Sequence, residues 1–569
     1  MNKKKDIQIN IYRNYAFMGM ILFLALILIV RIFYLSVYRN SDFLHKISLR
    51  TENVSILKRG NIYIKDISNQ DKKIVATNRI VYEIIIDKSK IVDTAKLLNT
   101  LSEEMNYKEV EKIKNDLANA EKSLTISEGI TREITEKISK MKLEGVRTNY
   151  RNDRFYPYDQ LASNVLGFVG YSGYDRVGQY GVESYYNDIL SGKNNDILSG
   201  SLFNVVKAST SDSDDIDKVA DLNLTIDFNI QSFIEKTSTR LKRRWAAESV
   251  TIIVQDPKSG AILGMVSSPS FNPNYYKKSA VELYANDSVQ SSYEPGSSFK
   301  PFTIAGALDT KSVTTKTTYL DKGEYNVDGF TIKNYDQKAH GRIDMAQVLQ
   351  KSLNTGTIFA KNRMGDDNFL NYVVRFGFGD KTGIDLAGEV GGSIANLYTH
   401  SKSNFATATF GQGIAVTPIQ LINAYSALAN GGHLLRPYVV ESIKMSDGKV
   451  FETRPKVLSD VILPTTSKTI SEMLVGVVDY GFDHARIKGY DIAGKTGTAQ
   501  IASDMGGYLP DGIFIHNFVG YAPASDPKFT ILIKMVKPQG ITFAADSLSS
   551  YFAEISNFLI QYLNIKPTR

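Results

Sequence analysis

Tyr293-Glu294-Pro295-Gly296-Ser297-Ser298-Phe299-Lys300-Pro301-Phe302-Thr303 sets a serine and a lysine three residues apart where a turn runs into a helix. Pro295 and Gly296 break the chain before the pair, and Phe302, Ile304, Ala305 and Leu308 then recur at helical spacing. Residues three apart on a helix share a face, so Ser297 and Lys300 are expected to point the same way. A serine hydroxyl attacks only when a base takes its proton, and a lysine serves only when burial or a neighbouring cation lowers its pKa from about 10.4. The open N–H groups and positive dipole end of the helix favour negative charge at Ser297 and a neutral Lys300. Pro301 disfavours helical geometry at Lys300, so strain is expected in this first turn.

Ser-x-x-Lys alone is a weak signal, since it recurs at Ser55/Lys58, Ser139/Lys142, Ser446/Lys449 and Ser525/Lys528. What sets Ser297 apart lies downstream. Ser352-Leu353-Asn354 follows the helical segment Asp344 to Lys351, and Lys495-Thr496-Gly497-Thr498 comes later. The order Ser-x-x-Lys, Ser-x-Asn, Lys-Thr-Gly is the signature of penicillin-recognising serine acyltransferases. A second Lys-Thr-Gly, Lys381-Thr382-Gly383, sits among Gly377, Gly379 and Gly388 and reads as a loop. Lys495, between Tyr490-Asp491-Ile492-Ala493 and Thr498-Ala499-Gln500-Ile501, reads as part of a strand. The edge of such a strand can hold an extended peptide by strand addition while a cation meets its C-terminal carboxylate.

Composition closes off other chemistries. A chain of 569 residues, 43% hydrophobic and 22% charged, is globular and has room for several domains. It has no cysteine, which excludes thiol catalysis, thiolate metal sites and disulfides. The net charge of +7 comes from 67 Lys and Arg interleaved with 60 Asp and Glu, without the long basic block that nucleic-acid binding would favour. Six histidines include no His-x-x-x-His pair, so no metal site and no cofactor are expected.

Along the chain, residues 15–38 are apolar but for Arg31 and would reach about 36 Å as a helix, enough to cross a bilayer. Lys3, Lys4, Lys5 and Arg13 precede them, which makes residues 1–14 a short cytoplasmic tail and places the rest outside the membrane. Residues 39–215 mix strand-like segments, such as Val81 to Ile86, with three apolar helical series. These are Ile91, Ala95, Leu98 and Met105; Val110, Ile113 and Leu117; and Ile134, Ile138 and Met141. The polar run Ser209 to Asp217 reads as a linker to an α/β domain over 216–569. There Val250 to Val254 and Ala261 to Val266 form an expected antiparallel pair, Phe518 to Tyr521 and Phe529 to Val536 two more strands, and Leu548, Phe552, Ile555, Leu559 and Leu563 the stripe of a terminal helix.

The chain resembles the class B penicillin-binding proteins, membrane-anchored peptidoglycan D,D-transpeptidases, over almost its whole length. Arg59-Gly60-Asn61-Ile62-Tyr63, Arg154-Phe155-Tyr156-Pro157, Gly167-Phe168-Val169-Gly170 and Gly178-Gln179-Tyr180-Gly181-Val182-Glu183 resemble pedestal motifs. Asp256-Pro257-Lys258-Ser259-Gly260, Gly411-Gln412-Gly413 and Gly494 to Gln500 resemble the catalytic half. The resemblance implies a multidomain α/β protein: one N-terminal transmembrane helix, a mixed α+β pedestal and a transpeptidase domain with a five-stranded antiparallel sheet flanked by helices. It also implies that Ser297 attacks a D-Ala-D-Ala stem peptide with Lys300 as base. Ser352 then relays protons, Asn354 positions Lys300 and the substrate amide, and Lys495 with Thr496, Gly497 and Thr498 holds the terminal carboxylate. An amine resolves the acyl-enzyme into a cross-link, and β-lactams acylate Ser297. The implied partners are a SEDS-type glycosyltransferase and other divisome membrane proteins in a bacterial cell membrane, with a septal role favoured by Gly489 to Lys495. Two positions depart from the pattern: Asp287 stands where arginine is frequent, and Phe482 where division-type members often have threonine. An elongation-type transpeptidase, a D,D-carboxypeptidase and a β-lactam-binding sensor are the alternatives.

Overall fold

The computed structural model describes residues 59–192 and 219–569, apart from Tyr174, Phe482, 504–506 and Asp511, together with isolated positions between 18 and 31. The expected anchor over 15–38 and the linker over 209–217 therefore lie outside the described residues, wholly or almost so. No described helix is long and apolar enough to cross a membrane. The described chain forms two compact units, residues 79–153 and residues 59–78 with those from 154 onward.

Strand β1 (Ile62–Asp66) pairs antiparallel with the first half of β2 (Asp71–Asp87), whose second half enters the smaller unit. There the chain continues through α1 (Thr94–Glu104), α2 (Tyr107–Asn119), β3 (Ser123–Ile126), α3 (Arg132–Lys140) and β4 (Val146–Phe155). Each helix starts on a side-chain cap, Asp93, Asn106 and Thr131 accepting from the N–H groups of Lys96, Glu109 and Ile134. Ile84, Ile86, Ile113, Leu117, Ile134 and Ile138 form the core with Leu97 and Leu101. The stripe expected on α1 is rotated: Leu97 and Leu101 are buried, Leu98 only partly, and Ala95 is exposed. The Asp93 cap starts the helix at Thr94 and leaves Ile91 in the preceding turn, and Ile91, Leu98 and Met105 flank the core that Leu97 and Leu101 enter.

In the larger unit, β5 (Ala220–Asp227) runs parallel to β1 and leads into α4 (Phe228–Arg244), β6 (Ser249–Gln255) and β7 (Ile262–Ser268). After α5 (Lys300–Asp309), α6 (Asn354–Met364) and α7 (Pro418–Ala429), β8 (Val440–Met445) returns antiparallel to β5, so the sheet built on β5 is mixed. The last elements are α8 (Pro464–Gly481), β9 (Ala493–Gln500), β10 (Phe514–Ala522), β11 (Phe529–Val536) and α9 (Ala544–Tyr562). Five strands form the main sheet in the order β9-β10-β11-β6-β7, each antiparallel to its neighbours. Leu548, Phe552, Ile555 and Leu559 of α9 cover one face, where Phe552 stacks on Phe518 with ring centroids 4.3 Å apart. On the other face Ile253, Val519 and Leu532 join the core that includes α5 and α7. All twelve residues of α7 are buried, which marks it as the central helix of the domain.

The division in space is not a division along the chain, because three separated motifs meet in one ion cluster of the larger unit. Glu183 accepts from Arg59 Nε at 2.6 Å, from Arg154 Nε at 2.6 Å and from the Tyr156 hydroxyl at 3.3 Å. Arg154 Nη1 also donates to the Gly60 carbonyl at 2.7 Å. Burial pushes the Glu183 pKa up, but the Arg154 and Arg59 guanidiniums outweigh it and hold the carboxyl below its ordinary value. Removing one partner of a buried ionic cluster leaves the others uncompensated. Glu183→Ala is expected to lower the unfolding free energy by about 3–5 kcal/mol. Chemical denaturation checks this, and a loss under about 1 kcal/mol, the scale of an exposed pair, would disprove it.

Candidate active site

The nucleophile segment is not one continuous helix. Gly296–Phe299 make a 3-10 turn, and α5 then starts at Lys300 with Pro301 in its first turn, where proline costs no hydrogen bond. Lys300 is helical, at φ −53° and ψ −37°, so the strain expected from Pro301 is absent there. With three residues per turn, a 3-10 segment eclipses positions i and i+3, which stacks Ser297 over Lys300.

The turn is held from all sides. Tyr425 on α7 donates from its hydroxyl to the Ser298 carbonyl at 2.7 Å, and Gly296 N donates to the Gly411 carbonyl at 3.1 Å. Tyr293 and Val416 exchange two backbone hydrogen bonds of 2.9 Å. Glu294 accepts from Gly413 N and from the Tyr508 hydroxyl. The Pro295 carbonyl accepts from Ser298 Oγ at 2.8 Å and from Asn517 Nδ2 at 2.9 Å. Two glycines allow β9 to lie against this turn. A Cβ on Gly497 would fall 2.4 Å from the Pro295 oxygen, and Gly296 combines φ 60° with only 3.0 Å from its would-be Cβ to the Thr498 oxygen.

Lys300 is 0% exposed and donates from Nζ to the Ser352 carbonyl and, at 3.2 Å, to Ser352 Oγ. Ser352 holds φ 54°, in the left-handed region, and so turns both oxygens onto one ammonium. Burial, and then the charge of Lys495, push the Lys300 pKa well below its ordinary value. Lys495 is 1% exposed, its Nζ donates to the Thr496 carbonyl at 3.1 Å, and burial pushes its pKa down to about 7. Among the expected residues, Ser297, Lys300, Ser352 and Lys495 are thus brought into one neighbourhood.

The remaining expected residues are placed differently. Asn354 donates to the Lys333 carbonyl at 2.8 Å, while the hydrogen bonds of Lys300 go to Ser352. Strand alternation turns Lys495 and Gly497 toward the nucleophile turn and Thr496 and Thr498 toward α9. Thr498 Oγ1 there accepts from Ala544 N at 3.0 Å, which leaves its proton to donate. β9 is an edge strand of the sheet. An edge-to-face contact between Tyr335 and Phe543, centroids 6.1 Å apart, links the loop after Lys333 to the start of α9. The other Lys-Thr-Gly is a loop closed by Glu389, which accepts from Thr382 N, Thr382 Oγ1 and Gly383 N, and Lys381 is exposed.

Sequence reasoning missed His516 and Asn517, a polar pair inside the apolar strand β10. Asn517 ties the sheet to the nucleophile turn. His516 lies opposite Thr498, its ring nitrogens 2.8 Å from Ser547 Oγ and 3.0 Å from the Thr542 carbonyl, and burial pushes its pKa down to about 4. Their signal was the break in the apolar run Phe514 to Ala522.

A half-buried serine over a dry lysine, beside an edge strand fit for an extended peptide, defines a serine-type acyl-transferring enzyme. A family model described as penicillin binding protein transpeptidase domain matches residues 250–557, and one described as penicillin-binding protein dimerisation domain matches residues 57–198. Stage V sporulation protein D of Bacillus subtilis (strain 168) is 34% identical over 487 residues, covering 84% of this chain and 73% of the relative. Peptidoglycan D,D-transpeptidase FtsI of Escherichia coli (strain K12) is 29% identical over 444 residues, covering 76% and 71%. Among solved structures, apo penicillin binding protein 3 from Mycobacterium tuberculosis is similar with a TM-score of 0.65 at 27% identity, covering 74% of this chain and 92% of that one. The chain belongs to the class B penicillin-binding proteins. It is a peptidoglycan D,D-transpeptidase, which cross-links peptidoglycan.

The buried Lys495 gives stability a defined pH dependence. Its folded pKa is about 7, whereas the unfolded chain keeps the proton to about pH 10.5, so the native state is penalised near pH 7 and stability rises as pH climbs toward 10.5. Lys495→Met is expected to stabilise the protein at pH 7 by at most about 4 kcal/mol, with the gain largely gone by about pH 10. Denaturation of both proteins at the two pH values tests this; a gain equal at both would refute it.

Proposed function

We propose that Ser297 is the nucleophile of the transpeptidation and Lys300 its general base. The observation that carries this reading is the dryness of Lys300: burial, and then the charge of Lys495, push its pKa well below the ordinary lysine value, toward the neutral amine that a base requires. Ser297 Oγ gives its proton to Lys300 and bonds to the penultimate D-Ala carbonyl carbon of a D-Ala-D-Ala stem peptide. Ser352, 3.2 Å from Lys300 Nζ, passes a proton to the leaving amine as the C–N bond breaks and D-Ala departs. The amine of a second stem peptide then displaces Ser297 from the ester and completes the cross-link. Asn354, fixed through Nδ2, keeps its Oδ1 for the substrate amide N–H. Lys495 meets the terminal carboxylate at the strand edge, joined by the proton left on the Thr498 hydroxyl. The Thr498 carbonyl faces Gly296, and a strand residue's N–H points to the same side as its C=O, so Thr498 N–H joins Ser297 N–H as an oxyanion hole. Loss of one such donor costs about 2.7–4 kcal/mol.

The same reading makes residues 1–14 a cytoplasmic tail, 15–38 a single-pass anchor and 39–215 a pedestal, with 216–569 outside the cytoplasm. Its supports are the length of the apolar stretch and the basic residues before it. A SEDS-type glycosyltransferase would supply the glycan, met through the anchor and the segment after it. The role is septal, on the approach Gly489 to Lys495 and on similarity to proteins named FtsI and PbpB. A role in spore formation is the second reading, favoured by the 34% identity to a protein named for sporulation.

Incubation with a labelled β-lactam is expected to place one covalent label, on Ser297, and Ser297→Ala and Lys300→Ala should abolish it. Labelling that survives Ser297→Ala would sink the assignment. Depletion in growing cells is expected to give filaments or chains lacking septa. Swollen round cells with normal septa would indicate elongation, and normal growth with failed spores the second reading.

A further inference from the structure

A third buried lysine lies under the nucleophile turn, and the reaction makes no use of it. Gly497, Asn517, Lys534, Thr251 and Ser267 are direct cross-strand partners on the five successive strands of the main sheet. Direct partners project from one face, and here it is the face on which the turn lies, since Asn517 and Gly497 both meet the Pro295 carbonyl. Lys534, on the central strand β11, is 2% exposed. Its Nζ sits 5.1 Å from the centroid of the Tyr293 ring, within range of a cation–π contact. Burial lowers its pKa, and Asp287 is the charge that opposes this. Asp287 is itself fixed to the same row, its N–H donating to Ser267 Oγ at 3.1 Å.

A lysine at the centre of a sheet is costly unless something retains it. Around Lys534 the Tyr293 hydroxyl, Asn517 Oδ1 and Thr251 Oγ1 are buried without hydrogen-bond partners among the described residues, so this layer is polar on both sides. The charge that acts on Lys300 is that of Lys495, so Lys534 does not set the pKa of the base. Arginine, the residue the family resemblance leads one to expect at 287, would repel the Lys534 ammonium. Asp287 and Lys534 therefore go together.

We propose that Lys534 is a positioning residue: its ammonium, set against the Tyr293 ring with the Asp287 charge acting on it at longer range, fixes the Tyr293–Gly296 turn on the sheet and with it the place of Ser297 beside Thr498. This rests on Ser297 being the nucleophile. The test is the acylation rate of the full-length protein by a labelled β-lactam, counted per titrated active site across pH. Lys534→Met is expected to acylate about five- to tenfold more slowly with the midpoint of the pH–rate profile unmoved, and Lys534→Arg to recover most of the rate. Asp287→Asn should lose about threefold, and the double variant should be no slower than Lys534→Met alone, as coupled residues require. Wild-type rates in Lys534→Met, a shifted midpoint, or losses that multiply would each overturn the inference. If Lys534→Met does not fold, Asp287→Arg must acylate several-fold more slowly than Asp287→Asn; equal rates overturn it. Absence of label on Ser297 in the unaltered protein would instead overturn the nucleophile assignment, and this inference with it.

Discussion

Two lysine amines, Lys300 beside the nucleophile turn and Lys495 on the strand against it, are held out of water, and burial works against the charge of both. Each would be an ordinary cation in water. Removed from water, both are pushed toward neutrality, and on Lys300 the charge of Lys495 acts in the same direction as burial. The dryness comes from the helices over the sheet, with the fully buried α7 at their centre. The closeness comes from glycine: a side chain at position 497 would push β9 off the Pro295 carbonyl and Lys495 with it. Packing, backbone approach and acid–base chemistry are therefore one constraint seen at three scales.

How much of this was legible in the sequence depended on the kind of residue. Ser297, Lys300, Ser352 and Lys495 stood out because the chemistry tolerates few residue types and their spacing along the chain is characteristic. The strands of the main sheet and the stripe of α9 were readable because β-branched runs and helical periodicity are local signals. The rotated stripe on α1 was not, since Leu97 and Leu98 are both apolar and only packing against the other elements of the smaller unit decides which one turns inward. Nor was the placing of the Thr496 and Thr498 side chains toward α9, which follows from the pairing of β9 with β10. His516 and Asn517 escaped for a shared reason. A buried polar residue is justified by partners far away in the chain, such as Ser547 and Pro295, and a local reading sees only an exception to an apolar run.

The sheet edge that would receive a peptide is positioned by its far side as much as by its near side. Thr498 faces α9, whose first turn hangs on its hydroxyl, and His516 on the next strand grips the same helix start through Ser547 and Thr542. A neutral imidazole suits that place, since it can donate to the Thr542 carbonyl through one nitrogen and accept from Ser547 through the other. The start of the terminal helix, the Thr498 peptide and the outer edge of β9 therefore keep a common register.

The order of β5's partners also sets a timetable for the growing chain. β1, made near residue 62, lies against β5, made after residue 220, and β8, made after residue 440, closes β5 on its other side. The first strand emerges long before its parallel neighbour exists, and that neighbour keeps an open edge through a further two hundred or so residues of synthesis. Pairings so distant in sequence form slowly, and unpaired strand edges invite association between chains. The interval between β1 and β8 is thus the stretch of synthesis over which an edge of β5 stands open, and the Arg59–Glu183–Arg154 cluster is a contact that can close within its first part, locking the early segments together before the catalytic sheet is complete.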